Sequence, residues 1–133
     1  MPQKDFIMMY TVVQRQDPTD RSAPAKFFPA PIWTGEVTLR QLAERISKSC
    51  TLTPSDIAAV LESFLAEVPD VLLNGQSVRL GDFGILRLTF KASGSDTEEE
   101  VGRANIQHVR VVFRSGVELK RQLQKAEFKR VKK

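Results

Sequence analysis

Hydrophobic and polar positions alternate along two stretches of the chain, residues 77–91 and 109–114. A period of two is typical of β-strands that bury one face and expose the other. The apolar positions, which would share one face, are Val78, Leu80, Leu86, Leu88, Phe90, Val109, Val111 and Phe113. The charged positions of the opposite face are all basic: Arg79, Arg87, Lys91, Arg110 and Arg114. Asp82 falls in a turn that divides the first stretch, so the pattern predicts three antiparallel strands with one basic face, which suits a polyanion.

Apolar residues at helical spacing predict two helices before these strands. The first is capped by Thr38, with Gln41 at the third helical position, and runs to about Lys48. The second begins at Thr53-Pro54, contains a proline at position 69, and ends at Asn74-Gly75. We expect that proline to kink the helix or re-form its last turn.

A third helix is predicted after the last strand, with Ser115 as its cap and Glu118 three positions later. It should end near Lys125. Residues 126–133 then form a basic tail, which is either a second contact for an anion or a frayed, solubilising end.

The second helix carries an apolar face too broad for one short partner helix to cover. Its members are Ile57, Val60, Leu61, Phe64, Leu65, Val68, Val71 and Leu72. The apolar face of the sheet also needs a cover. Dimerisation would supply both, so we expect a homodimer.

Residues 1–37 differ from the rest because five of the seven prolines of the chain fall there. Residues 6–14 and 26–33 read as two extended pieces joined by a turn-rich connection. The sequence therefore predicts two parts, a hairpin-like β extension over 1–37 and a domain over 38–133. The aromatic rings of the extension either cover a flank of the core or stack on a ligand or nucleobase.

Composition bounds the class of protein. A chain of 133 residues with 41% hydrophobic and 27% charged residues is typical of one globular core. The net charge is +4, and residues 108–133 hold nine basic and two acidic groups. The single Cys50 excludes an internal disulfide, and the apolar run 6–13 is too short for a signal or membrane segment. A cytoplasmic protein with no membrane partner is expected.

Enzymatic interpretations find little support. Asp82-Phe83-Gly84 spells a kinase triplet without the other kinase motifs, and it reads as a turn. His108 has no Cys or carboxylate at ligand or triad spacing. Glu98, Glu99 and Glu100 lack the spaced oxygens of a calcium loop. We expect no enzyme activity, no cofactor, no metal and no small-molecule substrate.

The order of elements, with VRLGDFGILRL at 78–88 and FRSGVELKRQL at 113–123, resembles the HU/IHF family of bacterial histone-like DNA-binding proteins. The match covers about residues 38–125. The extension, with PAPIWTGEVTLRQLAERI leading into the first helix, is similar to longer HU-like variants of Bacteroidetes. The resemblance implies an α+β fold: two N-terminal helices, a three-stranded antiparallel sheet with an extended arm, and a C-terminal helix. It also implies an intertwined dimer whose arms embrace the minor groove of DNA.

Transferred residue by residue, the resemblance is mixed. Arg87 and Lys91 match strand positions where the family presents cations, and Ser115 and Gly116 match the start of the last helix, whose amides can hold phosphate. The arm differs, because residues 92–106 hold four carboxylates against Arg103 and no proline. Such an arm would be repelled by phosphate and has no apolar wedge, and Thr97 with the three glutamates could start a short helix that folds it back.

The sequence thus predicts a non-enzymatic protein of the nucleoid that binds duplex DNA through phosphates with little sequence preference. The expected contacts are Arg79, Arg87, Lys91, Arg103, Arg110, Arg114, Ser115, Gly116 and Lys120. Exposed arginines are also ordinary on the solvent side of a half-buried sheet. The alternative is therefore an HU-like structural or protein-interaction module that has lost DNA binding.

Overall fold

The computed structural model describes residues 7–132 and has an α+β fold, as the sequence predicts. Its helices are α1 (Leu39–Ser47), α2 (Pro54–Leu73) and α3 (Val117–Leu123). Its strands are β1 (Ile7–Arg15), β2 (Lys26–Pro31), β3 (Val78–Arg79), β4 (Gly84–Ala92), β5 (Ile106–Ser115) and β6 (Glu127–Arg130). The chain forms two compact units, one of residues 37–121 and one of residues 1–36 with 122–133.

The predicted starts of the first two helices are confirmed. The Thr38 hydroxyl accepts from the Gln41 amide at 3.2 Å, and the Gln41 side chain accepts from the Thr38 amide at 2.8 Å. Thr53 caps α2 in the same way by accepting from the Asp56 amide at 3.2 Å. Helix α2 is continuous through Pro69 and ends where Gly75, at φ +84°, allows the chain to turn.

The start of α3 differs from the prediction. Ser115 is the last residue of β5 and pairs with Gly84, so it does not cap the helix. The chain turns at Gly116 instead, whose carbonyl accepts the first helical bond from the Lys120 amide at 3.0 Å. The sequence pattern alone could not decide which of the two adjacent small residues, Ser115 or Gly116, begins the helix.

Asp82 and Phe83 lie in a turn, as predicted, and Gly84 begins β4. The Phe83 amide donates to the Leu80 carbonyl at 3.1 Å, and the Phe83 ring lies 5.6 Å from that of Phe113. The turn also receives the start of α3, because the Asp82 carbonyl accepts from the Glu118 amide at 3.1 Å.

The predicted three-stranded antiparallel sheet has the order β3-β4-β5. Beyond its ladder, residues 93–105 form a compact loop with 3-10 turns at Glu98–Glu100 and Arg103–Asn105. The Asn105 side-chain amide closes this loop by donating to the Ser93 carbonyl at 3.0 Å and the Ser95 hydroxyl at 2.9 Å. The short helix expected after Thr97 is confirmed as a 3-10 turn, whereas the extended arm is replaced by this loop.

The N-terminal extension is a hairpin, as predicted, in which β1 and β2 pair antiparallel from Tyr10–Pro31 to Arg15–Lys26. The predicted strand start at Phe6 lies outside the described residues. The basic tail contains a strand, because β6 pairs parallel with β1 from Ile7–Glu127 to Tyr10–Arg130. The sequence grouped this tail with residues 38–133, and the structure groups it with the hairpin.

Few side chains of the single chain are buried. Ala43, Ile57 and Leu72 are the buried hydrophobic residues among those described, and none of the large side chains there is completely enclosed. Val60 of α2 is 61% exposed and Val111 of β5 is 52% exposed, although both belong to apolar faces. One described chain therefore lacks the core that a domain of this length normally has.

Candidate nucleic-acid interface

The register of the β3-β4-β5 sheet gathers the predicted arginines on one face. Residues directly opposite each other in an antiparallel ladder project from the same side. Ile85 pairs with both Arg79 and Arg114, while Arg87 pairs with Val112 and Thr89 with Arg110. Arg79, Arg87, Arg110 and Arg114 therefore share a face, here called the basic face.

The opposite face is apolar, as the alternation predicts. Leu86 pairs with Val78 and with Phe113, and Leu88 pairs with Val111. Gly84 belongs to the same face, since a Cβ there would collide with the Phe113 ring and the Arg114 carbonyl. This close approach lets Phe113 lie over the start of β4.

The arginines of the basic face are spaced rather than directly opposed. Arg87 stands opposite Val112, so Arg110 and Arg114 are its diagonal neighbours, at about 7–8 Å between Cα atoms. Like charges directly opposite one another would destabilise the sheet. The diagonal arrangement avoids this cost and still presents a field of positive charge.

Lys91 shares this face because it follows Arg87 and Thr89 in the regular alternation of β4, and a bulge in β5 lies opposite. The register shifts between Thr89 and Lys91, so that Lys91 pairs with Gln107. The extra residue lies on β5, where His108 adopts φ +50°, a conformation uncommon for a residue other than glycine. His108 thus marks the position of the bulge in β5.

The remaining predicted contacts lie elsewhere. Ser115 pairs with Gly84 and so projects from the apolar face, away from the arginines. The Gly116 amide donates to the Phe83 carbonyl at 2.8 Å, so it is not a vacant phosphate donor. Arg103 lies in the second 3-10 turn of the loop, and Lys120 is exposed on α3.

The cationic side chains of the basic face are not neutralised by neighbouring carboxylates. Within residues 7–132, the ion pair joins Arg121 to Glu118 at 2.7 Å, both on α3. Arg79, Arg87 and Lys91 are exposed, as are Arg110 and Arg114. An exposed group of unpaired cations on a rigid ladder can attract phosphates without first breaking an internal ion pair.

Metal and membrane sites receive no support from the described residues. No cluster of three metal-binding side chains occurs among them. None of their helices has the length and apolar character that a membrane span needs.

Sequence reasoning missed one feature, the concentration of positive charge in the smaller unit. Residues 37–121 hold 11 basic and 11 acidic groups, whereas residues 1–36 with 122–133 hold nine basic and five acidic ones. The whole net charge of +4 therefore belongs to the unit built on β1, β2 and β6. The tail was recognised as basic, but its place beside β1 depends on a parallel pairing that no local pattern shows.

Comparison with known proteins finds similarity to one family model and to curated relatives. A family described as an HU domain fused to wHTH, Ig or a glycine-rich motif matches residues 8–130. Integration host factor subunit alpha of Actinobacillus succinogenes is 30% identical over 92 residues, which cover 68% of this chain and 94% of that protein. The same subunit of Brucella anthropi is 36% identical over 67 residues, 50% of this chain and 57% of that protein.

A solved structure shares the fold. It is described as a candidate bacterial DNA-binding protein from Bacteroides vulgatus, with a TM-score of 0.68 and 15% sequence identity. The match covers 97% of this chain and 49% of that one, so the chain spans about half the length of this structural relative.

Proposed function

Because the chain belongs to the HU-HIG family of HU-domain proteins, within the wider HU/IHF group, we propose that it is a histone-like protein that binds duplex DNA of the nucleoid. Proteins of this group are structural DNA-binding proteins and not enzymes. The resemblance to HU/IHF drawn from the sequence is thereby confirmed. The Bacteroidetes-type origin of the extension stays a prediction.

The observation that carries the proposal is the basic face. Arg79, Arg87, Arg110 and Arg114, with Lys91 beyond the bulge, project from one side of a paired ladder and have no described carboxylate partner. Lys120 is a further candidate contact. Such side chains recognise phosphate charge, which carries no base sequence, so the expected sequence preference is low.

The working unit of this proposal is a homodimer. The exposed apolar faces of α2 and of the sheet require a cover, and a second copy supplies two complementary surfaces of the same kind. Two intertwined copies would double the five cations of the basic face. If six to ten of these met phosphates, affinity would fall about a thousandfold or more between roughly 50 and 200 mM salt.

The loop between β4 and β5 sets a limit on the mode of binding. It places Glu98, Glu99 and Glu100 on a 3-10 turn and contains no proline that could wedge between base pairs. The proposal therefore puts DNA at the base of the sheet and excludes intercalative kinking by the loop. Arg103 is the one basic residue of this loop and is a weaker candidate contact for DNA.

The direct test is charge reversal on the basic face. Arg110→Glu with Arg114→Glu should weaken duplex binding by at least about a hundredfold near 50 mM salt, because four cations per dimer become anions. Fluorescence anisotropy with a labelled duplex at several salt concentrations measures the effect. Arg21→Glu with Arg40→Glu is the matched control, since both residues are exposed and lie off the sheet.

Two results would contradict the proposal. Equal affinities of the Arg110/Arg114 variant and the control would move the contact away from the basic face. No duplex binding by the native protein at about 50 mM salt, where phosphate contacts are strongest, would favour the alternative. That alternative is an HU-like structural or interaction module, and the acidic loop is the observation that supports it.

A further inference from the structure

The β2-β1-β6 sheet carries an open apolar groove that the DNA-binding proposal does not use. It has a volume of about 720 Å³ and lies wholly within the smaller unit. The side chains of one sheet face that line it are Met8, Tyr10 and Val12 on β1, Phe27, Pro29 and Pro31 on β2, and Phe128 and Arg130 on β6.

The register explains why these side chains share a face. Tyr10 pairs with Pro31 on one side and with Arg130 on the other. Phe128 pairs with Met8, and Phe27 pairs with Gln14 at the far end of the same strand. Because six positions of β1 separate Met8 from Gln14, the two phenylalanines lie about 20 Å apart along the strand.

These rings are unusually exposed for apolar residues. Phe27 is 68% and Phe128 is 65% exposed, although each projects from a paired strand. In the single chain, Phe27 is exposed and covers no flank of a core. Exposed aromatic rings on the open face of a small sheet are the arrangement on which unpaired bases stack.

Charge complements the aromatic surface. Arg130 lines the groove at the register position of Tyr10, and no acidic residue is among the described residues that line it. Arg15 pairs with Lys26 at the hairpin end, but both project from the other face of the sheet, so they add to the charge of the unit and do not line the groove. Asp17 lines a second crevice together with Arg15 and Lys26, and hydrogen bonds from the Thr19 hydroxyl and amide lower the pKa of its carboxyl, so that crevice already holds an anion.

Other occupants fit less well. Strand addition by a peptide uses a sheet edge and not the groove; one outer strand, β2, has prolines at positions 29 and 31, and the other, β6, has four residues. A second copy would bring together two units that each carry a net charge of +4. A flexible polyanion with flat apolar bases satisfies both the charge and the rings.

We propose that this groove binds single-stranded nucleic acid, with bases stacked on Phe27, Tyr10 and Phe128 and a phosphate held by Arg130. The site is separate from the basic face and does not depend on it. The protein would then have two nucleic-acid surfaces, one for duplex and one for unpaired strands. Unpaired strands occur wherever a duplex is opened.

The experiment compares two pairs of substitutions in the full-length protein. Phe27→Leu with Phe128→Leu keeps apolar area but removes the π-faces, and should weaken binding of labelled thymidine oligomers of about 15 nucleotides at least tenfold. Phe27→Trp with Phe128→Trp should preserve that binding. Uridine oligomers of the same length show whether DNA or RNA is preferred. Trp33→Ala is the matched control, because Trp33 is 79% exposed and does not line the groove.

Duplex titrations in parallel separate this proposal from the first one. The leucine pair should keep duplex affinity within about twofold of that of the native protein. The Arg110/Arg114 reversal should leave the affinity of the groove for thymidine oligomers unchanged. Absence of single-strand binding, or equal binding by the native protein and the leucine pair, would overturn the groove proposal. A changed oligomeric state in the leucine pair would also overturn it, by assigning the groove to a second copy. Unfolding curves of each variant verify that the sheet persists.

Discussion

Two glycines allow contacts that no other residue would permit. A Cβ on Gly84 would overlap the Phe113 ring and crowd the Arg114 carbonyl, and one on Gly116 would overlap the Asp82 carbonyl. These close approaches let Phe113 of β5 pack on the start of β4, and they bring the start of α3 into contact with the turn that precedes β4. The sequence showed the glycines and the turn but not the atoms they meet, so it assigned Gly116 to phosphate and Ser115 to the cap.

Gly84→Ala should lower the free energy of unfolding by about 1–3 kcal/mol, because the added methyl displaces Phe113 or the backbone of β5. Urea denaturation measures the change. Gly94→Ala is the control, since nothing lies within 4 Å of a Cβ there and its backbone is not left-handed. Equal stability of the two variants would show that the close approach at Gly84 does not constrain the fold.

At the scale of elements, local sequence patterns correctly predicted the elements that are stabilised by interactions between residues close in sequence. The caps at Thr38 and Thr53, the stop at Gly75 and the hairpin of β1 and β2 involve residues close in sequence, and each is confirmed. Strand β6 was missed because four residues of mixed charge carry no strand period, and its partner lies far away in the sequence. The prediction of an extended arm was wrong because the hydrogen bonds of the Asn105 side chain that close the loop are specific to this sequence.

The acidic loop gives a prediction at this scale. Glu98→Gln with Glu99→Gln and Glu100→Gln should tighten duplex binding several-fold, because three charges per chain no longer repel phosphate. The gain should shrink as salt rises. Glu62, Glu67 and Asp70 of α2 provide a matched triple neutralisation. A gain of the same size in that control would mean that the net charge of the protein determines duplex affinity, whatever the position of the three glutamates.

At the scale of the whole molecule, the alternation and the helical periods predicted an α+β fold with one basic and one apolar sheet face. They also predicted that the apolar faces of α2 and the sheet stay uncovered, and their exposure in the single chain confirms this. The division into units was harder to infer. It depends on the parallel pairing of β6 with β1, which joins residues 122–133 to the hairpin.

The proposed homodimer makes unfolding depend on concentration. The melting temperature of the native protein should rise with protein concentration, because association stabilises only the folded chain. Phe64→Asp, which places a carboxylate in the exposed apolar face of α2, should weaken association by about a hundredfold or more and remove this dependence. Sedimentation and thermal melts at several concentrations measure both effects. Phe27→Asp is the control, and dissociation by both variants would contradict the placement of the interface on α2.

The parallel pairing of β1 with β6 also has a consequence for biosynthesis. The hairpin of β1 and β2 can form as soon as residue 31 is available, but its third strand begins only at Glu127. Throughout translation of the intervening residues, β1 has one unpaired edge whose amides and carbonyls face water or any strand nearby. Two residues of that edge, Met8 and Met9, are exposed even in the complete sheet. The nascent chain is thus most open to unwanted strand pairing before its final strand has been made.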